Sequence, residues 1–119
     1  KALEDILTAS VDCFQADDPV SAKMVEPLEE TIDRLTAEIR DRHIRRLQNG
    51  ECTVQLGFIL SDLLTNLERV SDHCSNIAVC VIEERENQGE QRHAYLHDFK
   101  AAGEFAENLD KDLEKYRLP

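Results

Sequence analysis

The sequence predicts an all-α fold, an elongated antiparallel helical bundle of three long or medium helices followed by a C-terminal helix. Apolar residues recur at steps of three and four through most of the chain, and no stretch alternates in the manner of a strand. Only four Gly and three Pro interrupt 119 residues. A hydrophobic content of 41% is too high for a disordered acidic tail and sufficient for one modest core, so residues 1–119 read as a single domain.

The first helix rests on Leu3, Ile6, Leu7 and Val11 within Lys1 to Phe14, and it stops at Asp17-Asp18-Pro19. The same tripeptide opens the second. Asp18 is an N-cap whose carboxylate can accept a backbone N–H, and Pro19 suits the first helical position, where its missing donor costs nothing. Val25, Leu28, Ile32, Leu35 and Ile39 form the apolar row, Asn49-Gly50 provides the stop, and Pro27 predicts a kink or restart near Glu26.

The third helix, read over 51–86, has the clearest pattern. Leu56, Leu60, Leu63, Leu67, Val70, Cys74, Ile77 and Val81 make a heptad seam. Leu64, Ser71, Ala78 and Ile82 widen the stripe, which predicts packing against at least two other helices, with close approach at Ser71 and Ala78. After a polar stretch containing Gly89, the residues Tyr95, Phe99, Ala102, Ala106, Leu109, Leu113 and Tyr116 mark a last helix that Gly103 breaks or bends.

Charge and cysteine usage narrow the function. A formal net charge of -11 disfavours a nucleic-acid partner, because phosphate contacts need a positive surface. Cys13, Cys52, Cys74 and Cys80 form no CxxC pair and read as reduced thiols of an intracellular protein. No run is long and apolar enough to span a membrane, and the start at Lys1 predicts a domain cut from a longer protein. Neither a nucleophile elbow nor a P-loop is present, so no enzymatic activity is predicted.

Two acidic pairs share an i,i+4 spacing, Glu29 with Asp33 and Glu68 with Asp72, which stacks each pair on one helix face. In so acidic a chain, the number of such pairs is what chance supplies. Their placement says more: Glu29, Asp33 and Glu68 flank the apolar rows, while Asp72 points further out, so a metal would sit at the surface between helices two and three. Oxygen ligands of this kind suit iron, manganese, zinc, magnesium or calcium. Glu26 and Asn76 are further oxygen donors one turn away, and His73 is a further nitrogen ligand or a hydrogen-bond support. Glu90, His93 and His97 have ExxH and HxxxH spacing, half of what a di-iron bundle site requires. Arg40, Arg42, Arg45 and Arg46 complement the negative end of the second helix's dipole, or they contact a partner or anionic lipid head groups.

The segment Leu67-Glu68-Arg69-Val70-Ser71-Asp72-His73-Cys74-Ser75-Asn76-Ile77-Ala78 resembles the signature of the PhoU family of phosphate-signalling helical proteins, departing from it in Ser71, where that family has Gly. Glu29-Glu30-Thr31-Ile32-Asp33-Arg34-Leu35 resembles the family's other acidic motif. The resemblance implies a metal held by Glu29, Asp33, Glu68 and Asp72. One three-helix repeat in place of two is similar to the cytoplasmic PhoU-like domain that follows the membrane part of bacterial Na+/phosphate cotransporter family proteins. The Asp41 to Cys52 run, the Ser61 to Asn66 lead-in and the Lys115 to Pro119 end also resemble those domains.

The resulting expectation is a regulatory domain at the cytoplasmic face of the membrane. Its partner would be the transporter region of the same protein or a phosphate transporter, with a homo-oligomer and an anionic membrane surface as further partners. The alternatives are a free-standing phosphate-uptake regulator, a carboxylate-bridged metalloenzyme and a structural oligomerisation bundle.

Overall fold

A computed structural model describes residues 1–86 and 103–119. These residues form an all-α bundle with no strand among them: α1 Ala2–Ala16, a single turn α2 Pro19–Ala22, α3 Val25–Gln48, α4 Val54–Glu86 and α5 Gly103–Lys115. The molecule measures 55 × 25 × 24 Å. The 33 residues of α4, about 50 Å at 1.5 Å per residue, account for its length.

Local chemistry sets the helix ends. Asp17 closes α1 in the left-handed region at φ 50°, and the Asp18 N–H returns to the Cys13 carbonyl at 3.0 Å. Asp18 then caps α2, its Oδ1 accepting the Val20 N–H at 3.0 Å, with Pro19 in the first helical position. The restart expected near Glu26 falls slightly earlier, at Lys23–Met24. Pro27 sits in the first turn of α3, where backbone N–H groups have no intrahelical acceptor, and it therefore bends nothing. At the far end Gly50, at φ 72°, makes a Schellman closure: its N–H binds the Leu47 carbonyl at 3.1 Å and the Glu51 N–H binds Arg46 at 2.8 Å. The third helix expected from residue 51 begins at Val54, because Thr53 Oγ1 accepts the Leu56 N–H at 3.3 Å as its cap.

Helices α3 and α4 form an antiparallel hairpin whose register is fixed by three cross-helix contacts. Glu26 meets Ser75, Thr36 meets Glu68, and His43 lies against Gly57. A Cβ at Gly57 would stand 2.7 Å from His43 Nε2, so glycine is what lets the helices close there.

The core gathers Ile6 and Cys13 of α1, Ala22, Val25, Leu28 and Ile32, and Cys74, Ala78, Val81 and Ile82 of α4. Removing a side chain such as Ile82 to Ala would cost about 2–5 kcal/mol, the usual penalty for a buried cavity. Phe105 and Leu109 make a second, smaller cluster with Leu113 on α5, which runs along α3. No two of the four cysteines form a disulfide, and burial pushes the Cys13 thiol above its ordinary value.

The heptad seam needs correction. On α4 the row that is buried is the flanking one, Leu64, Ser71, Ala78 and Ile82, joined by Cys74 and Val81; Leu56, Leu63 and Ile77 are exposed. The cause is unequal cover. Helix α1 starts beside the middle of the hairpin, where Leu3, Leu35, Ile39, Leu67 and Tyr116 line one groove, and Leu56 in the first turns of α4 is more than half exposed. In the first helix Leu7 and Val11 are likewise exposed and Ser10 is buried. In the last helix Phe105 takes the buried position expected of Ala106. Tyr95, Phe99 and Ala102 lie outside the described residues.

Candidate metal centre

The acidic motifs meet because the hairpin register sets the first turns of α3 opposite the middle of α4. Glu29 and Asp33 project one turn apart from α3, and Asp72 comes across from α4. Each offers a carboxylate oxygen, and the three oxygens lie within 4.8 Å of one another. Three carboxylate oxygens this close can reach one hard cation, which takes oxygen ligands. The site grades outward: Glu29 is 9% exposed, Asp33 is half-buried and Asp72 faces solvent.

Glu68 is not in this group. Arg40 Nη1 and Nη2 donate to its two oxygens at 2.7 and 3.0 Å, and the Thr36 hydroxyl donates to Oε1 at 2.5 Å. Arg40 beside it, assisted by Thr36, holds the Glu68 carboxyl below the usual carboxylate range against the opposing effect of partial burial. The same guanidinium feels the charge of Asp33. A fixed cation therefore stands at the edge of the carboxylate group and offsets part of its repulsion.

The supporting residues divide. Glu26 is buried and accepts the Ser75 hydroxyl at 2.5 Å, which tethers α3 to α4 one turn below the group. His73 is exposed on α4 and lies outside the three-carboxylate group, and Asn76 is exposed on the same helix. Ser71 is wholly buried and its Oγ has no hydrogen-bond partner among the described residues. Glu90, His93 and His97 lie outside the described residues.

The four arginines also separate by role. Arg40 belongs to Glu68. Arg42 pairs with Glu38 at 2.7 Å within its own helix and donates to the Pro119 carbonyl at 2.5 Å. Arg45 and Arg46, in the last turn of α3, form no ion pair among the described residues.

What the sequence reading missed is the assignment of Arg40. Counting back from the Asn49-Gly50 stop would have placed Glu68 opposite Asp33 and Thr36, within an arginine's reach of Arg40 one turn further along α3.

Against known families, the PhoU domain model matches residues 1–81, which include both acidic motifs and the whole hairpin register. The chain belongs to the PhoU domain family. PhoU domains are regulatory rather than catalytic, and the family is one of phosphate-transport regulators. The match ends within α4, so α5 and the Lys115 to Pro119 end lie beyond it. No curated protein and no solved structure matches the chain.

Proposed function

We propose that this PhoU domain is the metal-binding regulatory domain of a Na+/phosphate cotransporter family protein, acting at the cytoplasmic face of the membrane. The observation that supports metal binding is the convergence of Glu29, Asp33 and Asp72 from two helices onto one ion-sized space. Three carboxylates so close repel one another, by about 1 kcal/mol per pair in water and about 4 kcal/mol at a protein-surface dielectric. A bound divalent cation supplies the positive charge that reverses this repulsion.

The chain's own residues give such a site a regulatory character. Glu29 and Asp33 belong to α3 and Asp72 to α4, so ligation ties the hairpin together at its middle. Three protein oxygens leave the remaining positions of a hard cation to water or to an oxygen from a partner. Asp72, on the exposed side, leaves that approach open. Arg40 keeps Glu68 out of competition for the ion while adding positive charge beside Asp33.

The transporter context rests on sequence likeness: the single three-helix repeat, the Asp41 to Cys52 run and the Lys115 to Pro119 end. No helix among the described residues is long and apolar enough to cross a membrane, so the transporter reading assigns the transport path to a separate region.

The test is metal titration of the chelator-stripped chain by calorimetry with manganese and calcium, together with elemental analysis of protein purified without chelator. One ion per chain, lost in an Asp33→Asn/Asp72→Asn variant that keeps its helical content, is the expected result. Equal metal content in both proteins would overturn the site.

A further inference from the structure

The turn between α3 and α4 brings together a thiol and an imidazole that the metal reading does not use. Cys52 Sγ lies 3.5 Å from His43 Nδ1, nearer than its other acceptor, the Thr53 carbonyl at 3.9 Å. His43 is 9% exposed, and its Nε2 has no hydrogen-bond partner among the described residues. The ring is confined on both sides, with Gly57 against Nε2 and Cys52 against Nδ1. Backbone closures hold the sulfur in place: the Glu51 N–H binds the Arg46 carbonyl at 2.8 Å, and the Gly57 N–H binds the Thr53 carbonyl at 3.2 Å.

This orientation selects a role for each group. A neutral imidazole carries one N–H and one lone pair, and a ring nitrogen accepts better than a thiol sulfur does. The Cys52 S–H therefore donates to Nδ1, which leaves the ring hydrogen on Nε2. A nucleophile with a base in hydrogen-bond reach is the arrangement that activates a thiol. Access separates Cys52 from the core thiols: Cys13 and Cys74 are buried, while Cys52 is partly open to solvent.

We propose that Cys52 is a site of oxidation by hydrogen peroxide, with His43 as its base. Nδ1 takes the thiol proton as the sulfur attacks one peroxide oxygen. The S–O bond forms, the O–O bond breaks, and the sulfur gives up two electrons to the peroxide. The departing hydroxide takes the proton from Nδ1, so the products are a sulfenic acid on Cys52 and one water. This inference is independent of the metal site.

Cys80 is the internal reference, because it is the exposed cysteine of α4. The full chain is treated with hydrogen peroxide and dimedone, which traps sulfenic acids, in the presence of chelator, and labelling of each cysteine is followed by peptide mass mapping. Exposure by itself would put Cys80 first. The thiol and imidazole pair instead predicts that Cys52 labels faster than Cys80, with Cys13 and Cys74 protected. His43→Asn keeps a polar group beside the sulfur but removes the base, so it should slow Cys52 labelling about tenfold or more and leave the Cys80 rate unchanged. If that variant unfolds, seen as labelling of Cys13 and Cys74, the order of Cys52 and Cys80 in the parent chain decides. Cys80 labelling as fast as Cys52 would overturn the proposal, and so would a Cys52 rate that His43→Asn does not change in a folded chain.

Discussion

Arg40 and Glu68 face each other across the α3–α4 hairpin as a two-pronged ion pair, Nη1 to Oε1 at 2.7 Å and Nη2 to Oε2 at 3.0 Å. The pair takes up both oxygens of one member of an otherwise repeated acidic motif, and so decides which carboxylates remain grouped. Replacing Arg40 by Gln should release Glu68 toward Asp72 and remove a positive charge beside Asp33. Metal affinity, measured by calorimetry, is expected to rise several-fold; a fall would show that Arg40 supports the site.

The same pair makes a pH prediction. Glu68 titrates below the ordinary carboxylate range in the folded chain. Its contribution to stability is therefore present above the unfolded-state value and is lost as pH falls through the lowered folded value. Both side chains keep a quarter to a third of their exposure, so solvent screening limits the pair to about 1 kcal/mol. Urea midpoints of the parent and Glu68→Gln should converge on acidification; a difference that stays constant with pH would contradict this.

Asp72→Asn should weaken metal binding about tenfold or more and also raise the melting temperature of the metal-free chain. Both effects follow from the close approach of the three carboxylates: a ligand is lost, and so is a repulsive charge. Thermal melts with and without chelator separate the two. A mutant less stable than the parent in chelator would mean that Asp72 serves the fold rather than an ion.

Ser71 is wholly buried and its hydroxyl has no partner among the described residues, so Ser71→Ala removes a desolvated polar group without opening a cavity larger than one oxygen. A gain of about 1 kcal/mol is expected in urea denaturation. Destabilisation by a similar amount would show that the hydroxyl has a partner in solution.

Gly57→Ala places a methyl 2.7 Å from the buried His43 Nε2, and His43 is confined on its other side by Cys52, whose Sγ lies 3.5 Å from Nδ1. The cost should be about 1–3 kcal/mol, in the range of overpacking. His43→Ala introduced together with Gly57→Ala should cost less than the two single changes summed. Strict additivity would refute the contact.

Tyr116 donates its hydroxyl to Asp5, joining the C-terminal segment to α1. Burial, then the neighbouring Asp5 charge and hydrogen bond, push its phenol above the ordinary value. The group contributes stability below the unfolded-state value, lost as pH rises toward the folded one. The alkaline fall in stability should be shallower in Tyr116→Phe.

The sequence by itself determined the helices, because their signals are local: three-and-four apolar spacing, the Asp18-Pro19 start and the Asn49-Gly50 stop act within a turn or two of the residues that carry them. It also singled out both acidic motifs, which family resemblance, and not their count, made meaningful. Only the tertiary structure decided which carboxylates share a space. Glu68 and Asp72 are equivalent by spacing, yet the hairpin register sets Arg40 and Thr36 against the first and Glu29 with Asp33 against the second. It decided, too, which apolar row of α4 is core. Leu56 and Cys74, both in the seam, share one direction on a helical wheel, but α1 begins beside the middle of the hairpin, leaving the first in water and burying the second. Periodicity reports which face is apolar, and burial depends on how far the neighbouring helices reach along it.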